Sequence, residues 1–189
     1  MVDAYEVWST REALKRIDAF KHLNLSCLED PLPLPDVDGY RQLRMRGRIL
    51  IAGGERFPSL PTANTRLNGG VDILRADVCR LAGITQELDV ARLANSWDIL
   101  IQPHMVEDLS LSPCCVAEDA YSVEQVPDCS LLAAGLIHDS RPIDRRANSP
   151  RTGAGHGVVF DQEDLDAHEV STGSFAQFQK SASSPLANR

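Results

Sequence analysis

The sequence predicts an α/β fold built on a parallel sheet, and three observations carry that reading. Short apolar runs alternate with helical stretches at intervals of 20–30 residues, the spacing of βαβ units. The runs are mostly continuous rather than alternating in hydrophobicity, as expected for strands covered on both faces. An acid or a histidine stands at the carboxyl end of each run. In a parallel α/β barrel those ends converge on one rim, so a barrel of partial extent is the expected architecture.

Each element can be justified in order. Asp3 closes what reads as the last residues of a strand. "WSTREALKRIDAFKHL" is a helix with a start signal, because Ser9 and Glu12 fit the S-x-x-E capping box. Ala13, Ile17 and Phe20 then give it one apolar face. "LNLSCL" is a strand, "DVDGYRQLRMR" a helix, and "RILIAGG" a strand ended by glycines. "SLPTANTRLN" is helical in its later part, "GVDILRAD" returns to strand, and "TQELDVARLANSW" is an amphipathic helix. "DILIQP" is a strand, "VEDLSLSPCCVAED" a weaker helix, and "AYSVEQ" a short sixth strand. Residues 1–126 are thus read as the partial barrel. Residues 127–170, turn-rich from Pro127 on, are read as a closing segment, and the Ser/Ala-rich residues 171–189 as a disordered tail.

The 189 residues suffice for one domain with a sizeable core. Hydrophobic residues make up 43% and charged residues 24%, ordinary for a globular protein. A net charge of -8 argues against nucleic acid or an anionic membrane as partner. No apolar run approaches the ~20 residues that span a bilayer, and the N-terminus lacks a signal-peptide pattern. A cytoplasmic protein is expected. Five cysteines with no C-x-x-C spacing argue against a zinc site or disulfide framework and for buried reduced thiols.

The functional signal lies in the strand ends. Asp3, Glu29, Glu55, Asp77, His104 and Glu124 follow successive strands at steps of 26, 26, 22, 27 and 20 residues. Asp3, Glu29 and Glu55 would be near neighbours. Like charges ~4 Å apart repel by about 4 kcal/mol at an effective dielectric near 20, so three carboxylates need a counter-charge. A hard divalent cation, Mg²⁺ above all, supplies it. The plainer alternative is that each acid caps a following helix. Three at regular βα spacing, with an Asp and a His beyond, favour the shared site. Asp77 and His104 suit an acid/base pair in which the carboxylate fixes the imidazole tautomer. Glu124 fits a structural role as readily as a functional one.

At these residues the chain resembles the carboxyl-terminal barrel domain of the enolase superfamily, in its mandelate racemase group. The matching stretches are "VDAY", "CLEDPLPLPDVDGYRQL", "IAGGERF", "DILRADVCRLAGIT", "IQPHM", "VEQ" and "GHGVVFDQEDLDAH". The resemblance implies a TIM-type (β/α) barrel with about six of its eight βα units, lacking the N-terminal α+β capping domain and the Lys-x-Lys strand. It implies that Asp3, Glu29 and Glu55 hold Mg²⁺ and that His104 with Asp77 is the catalytic dyad. Glu124 would hydrogen-bond the substrate carboxylate. The implied activity is abstraction of a proton α to a carboxylate through an enolate, most often in dehydration of a sugar acid. A racemase or epimerase of a 2-hydroxy acid, or a truncated and inactive barrel, are the alternatives. The implied partner is a small carboxylate, with homo-oligomers also compatible.

Overall fold

The computed structural model describes residues 1–67, 69–138 and 149–169. Five strands, β1 (Val2–Asp3), β2 (Cys27–Glu29), β3 (Leu50–Gly53), β4 (Ile73–Leu74) and β5 (Leu100–Ile101), form one sheet in chain order. Every neighbouring pair is parallel, with Val2 opposite Leu28, Leu28 opposite Ile51, Ala52 opposite Ile73 and Ile73 opposite Leu100. Helices α1 (Thr10–Phe20), α2 (Val37–Arg46), α3 (Leu60–Leu67) and α4 (Ile84–Asn95) make the crossovers. Helix α5 (Glu107–Val116) follows β5, and α6 (Gln162–Ala167) lies late in the chain. The α/β alternation expected from the sequence is present.

The sixth expected strand is shorter than its sequence suggests. "AYSVEQ" contributes one parallel bridge, between Ile101 and Ala120, flanked by bonds from Ile101 N–H to Asp119 and from Tyr121 N–H to Ile101. Beyond it, Ser122 and Glu124 direct their side chains to Gln102 and to the Met105 N–H.

The start of α1 shows how local chemistry sets an element. Ser9 Oγ accepts from the Glu12 N–H at 3.3 Å, satisfying a free donor of the first turn. The reciprocal half of the capping box does not form. Glu12 instead takes Arg16, one turn on, at 2.8 Å, an i,i+4 pair. Helix α2 is capped by Asp36, which accepts from Gly39 N–H and from the Thr10 hydroxyl.

The two faces of the sheet have different contents. Toward the helices lies the main core, with Leu28, Ile51, Leu74 and Ile101 from the strands packed among Ile17, Leu43, Val90 and Ala94 from the helices. On the concave face lies a small cluster of Cys27, Ala52, Ile73 and Leu100. Side chains along a strand alternate faces, so the next concave residues are Glu29, Arg75 and Gln102. That face turns polar one pleat further along.

The five cysteines are free, but Cys79, Cys115 and Cys129 are exposed, where buried thiols were expected. Within residues 127–170, Asp161 N–H bonds to Leu136 O, and Arg151 reaches Asp108 on α5 at 3.1 Å. Residues 139–148 and 170 of that segment, and the whole 171–189 tail, lie outside the described residues. Among the described residues no helix is long and apolar enough to cross a membrane.

Candidate metal and acid/base site

Glu29 ends β2, and Asp30 follows it with φ 35°, in the left-handed region. That turn needs room from β3. A Cβ on Gly53 would stand 2.5 Å from Asp30 Oδ1, so the first glycine of "IAGGERF" leaves space for the acid. Gly54 has φ +114°, and a Cβ there would meet Leu74 Cδ1 at 2.8 Å. The Gly54 N–H then donates to Asp30 Oδ1 at 3.3 Å. This glycine pair sets the turn that aims Glu55 back over the sheet.

The acids that converge are Glu29, Asp30 and Glu55, each buried, with one oxygen of each within 4.8 Å of the others. Asp3 is their neighbour in the β1–β2 register, opposite Glu29, but it is exposed and accepts its own Tyr5 N–H at 2.8 Å. The structure thus brings Glu29 and Glu55 together with Asp30, and leaves Asp3 at the sheet edge. Burial, against the pull of Arg75, pushes Glu29 up to about 7. Burial, reinforced by the charge of Glu55, does the same to Asp30, also to about 7.

This donor set fits a hard divalent cation. All three groups offer carboxylate oxygens, Asp30 Oδ2 is buried without a hydrogen-bond partner, and opposite ligands of Mg²⁺ stand roughly 4.2 Å apart at bond lengths near 2.1 Å.

His104 and Asp77 meet as the sequence suggests. His104 Nδ1 lies 3.0 Å from Asp77 Oδ2, and Nε2 lies 3.0 Å from Glu55 Oε2. Asp77 also accepts from the backbone N–H groups of Cys79 and Arg80. Burial would raise Asp77, but these donors outweigh it and hold the carboxyl below its usual range. Burial would likewise lower His104, yet Asp77 and Glu55 carry it up to about 9. Glu55 is held down to about 2, chiefly by His104, with Arg80 at 3.1 Å adding to the effect.

Glu124 is tied to a residue the sequence reading passed over. Arg75, fully buried, places Nε 2.9 Å from Glu29 Oε1 and Nη2 2.5 Å from Glu124 Oε1. Its Nη1 donates to Gln102 Oε1 at 2.8 Å, and Gln102 passes the chain to Ser122. Glu124 Oε2 accepts from the Met105 N–H and stands 4.0 Å from His104 Nε2. The signal for Arg75 was available, since a charge inside the buried run "ILRA" must be paired. Asp30 and Arg80 gave no such signal, because turn geometry alone directs them to the site.

The chain matches a family model described as Enolase C-terminal domain-like over residues 1–165. It belongs to that family. Among curated proteins it is 28% identical to an L-galactonate dehydratase of Hypocrea jecorina, a match covering 89% of this chain and 40% of that protein. Among solved structures it resembles a racemase from Streptomyces coelicolor A3(2) with bound magnesium, at TM-score 0.80 and 26% identity. That match covers 90% of this chain and 46% of the other. It also resembles an L-talarate dehydratase from Polaromonas sp. JS666 complexed with Mg and L-glucarate, at TM-score 0.77 and 25% identity, over 88% and 46% of the two chains. The family member described here therefore spans under half the length of these relatives.

Proposed function

We propose that the concave face supports Mg²⁺-dependent proton abstraction α to a carboxylate, directed at dehydration of a sugar acid. The observation that carries this reading is the position of His104, clasped between Asp77 and Glu55 above a group of converging carboxylates. The relatives that are a galactonate dehydratase and a talarate dehydratase support the substrate class.

Glu29 and Glu55 would hold the cation, with Asp30 as the converging third acid and Asp3 as the edge-strand acid nearest to it. A cation held there would offset the negative charge that develops on the substrate carboxylate. The remaining work falls to side chains. Asp77 accepts at Nδ1 of His104 and fixes its orientation, which leaves Nε2 as the atom that exchanges a proton. With Asp77 at Nδ1 and Glu55 at Nε2, each at 3.0 Å, His104 stands between two carboxylates. Released from Glu55, Nε2 would take the α-proton, and the imidazolium so formed would give a proton to the departing β-hydroxyl, which leaves as water. Glu124, paired to Arg75 and 4.0 Å from His104 Nε2, would stand beside the substrate carboxylate, the role the family resemblance gives it.

A second reading has its own observation. Glu29 is already matched by Arg75, and Glu55 by His104 and Arg80, so the chain can stand as a weak cation binder without turnover. A sugar-acid library assayed with Mg²⁺ separates the two. Dehydration by the parent chain that disappears in His104→Asn, with Mg²⁺ binding retained, supports the first. Turnover surviving that substitution removes His104 from the chemistry, and an inert parent leaves the second reading standing.

A further inference from the structure

Arg75 is the largest side chain with no exposed surface in the described residues. It is placed by the pleat of β4. Ile73 lies in the concave cluster and Leu74 in the helix-facing core, so Arg75 returns to the concave face. There it meets carboxylates from β2 and from the segment after the Ala120 bridge, and an amide from the segment after β5. A guanidinium in such a place ordinarily uses its planar fork for paired, in-line bonds. Here only Nη1 does so, to Gln102. Nε and Nη2 sit within ion-pair distance of Glu29 and Glu124, but neither contact has hydrogen-bond geometry. Arg75 is held by charge more than by directed bonds.

We propose that Arg75 is a resident counter-cation of the acid cluster, and that a divalent cation binds by taking Glu29 from it. The inference rests on the metal reading above and adds to it a competitor built into the chain. Three features support it. Glu29 is shared between the two sets, being both a member of the converging carboxylates and a partner of Arg75. Arg75 has a second acid, Glu124, and the Gln102 amide to retain when Glu29 is engaged elsewhere. The off-axis contact to Glu29 can be given up at low directional cost, whereas removing the arginine outright leaves a buried carboxylate uncompensated. Arg75 is thus a positioning residue that sets how tightly the site holds metal.

The test is calorimetric Mg²⁺ titration of the full chain beside Arg75→Met and Arg75→Lys, with melting temperature followed with and without metal. Arg75→Met is expected to bind Mg²⁺ at least tenfold more tightly, to melt lower without metal, and to gain more from Mg²⁺ than the parent does. Arg75→Lys, which keeps the charge but loses the fork, should fall between them. A merely structural arginine would lower the melting temperature in Arg75→Met and leave the Mg²⁺ affinity unchanged. That result overturns the proposal while the metal reading survives. Absence of Mg²⁺ binding in parent and variants alike overturns both. If Arg75→Met fails to fold, the double variant E29Q/R75M decides the point. Recovery of a folded state supports a counter-ion to Glu29, and no recovery overturns it.

Discussion

At the middle of this sheet the two faces are equally buried and chemically opposite. Leu28 and Glu29 are consecutive, at 0% and 2% exposure, as are Leu74 and Arg75, both at 0%. On the helix side, burial is favourable in itself, because each side chain removes apolar area from water. On the concave side, burial is costly, and the charges remain only because Arg75 meets Glu29 and Glu124 while His104 meets Asp77 and Glu55. The comparison teaches that burial alone does not identify a core. What matters is whether a buried group has company of opposite sign.

The helix face can be broken most directly by Leu28→Ala, which empties a site with no exposed surface. A loss of about 2–5 kcal/mol in urea unfolding is expected. Glu87 sharpens the contrast, because it is an acid buried against the helix layer with neither oxygen hydrogen-bonded. Burial pushes it up to about 7, and the nearby Ser110 offsets only part of this. Its folded value lies above its unfolded value, so the native state binds the extra proton between pH ~4.5 and ~7. Stability should therefore fall as pH rises through that window and stay low above it. Glu87→Gln is expected to remove the share of this dependence that Glu87 adds to those of Glu29 and Asp30, and to gain up to roughly 3 kcal/mol at pH 8, against no gain at pH 4. Equal pH slopes in the parent and Glu87→Gln would show that Glu87 has a partner.

Smaller effects test the supports between the faces. The Tyr40 hydroxyl donates to Leu32 O at 2.9 Å and lies 3.3 Å from Asp30 Oδ1. Tyr40→Phe should cost about 1–2 kcal/mol, since it leaves a buried carbonyl without its donor. Ser9→Ala, at the start of α1, should cost about 0.5–1 kcal/mol through the lost cap. If Ser9→Ala proved more damaging than Tyr40→Phe, the buried network around Asp30 would not be the support described.

Much of this was legible in the sequence, and the parts that were not share a cause. The strand order and the helix-facing core follow from apolar runs such as "RILIAGG" and from the face of Ala13, Ile17 and Phe20. The His104–Asp77 contact followed from each residue lying just past its strand. Hydrophobic pattern could not say that the counter-charges would come from Arg75 and Arg80. Nor could it say that Asp30, with φ 35°, would turn inward while Asp3 stayed at an edge with no strand beyond it among the described residues. Those outcomes depend on turn geometry and on pairing between distant strands. The shrinking of "AYSVEQ" to one bridge belongs with them, because Ser122 and Glu124 are drawn to Gln102 and Met105.

We propose that the carboxyl ends of β2 and β3 hold a single cation on the concave face. Diffraction from crystals grown with Mn²⁺, with the metal located by its anomalous signal, tests it most directly. One peak is expected within coordination distance of both Glu29 and Glu55, lost in Glu55→Gln. A peak elsewhere, or none between those two carboxylates at saturating Mn²⁺, would contradict it.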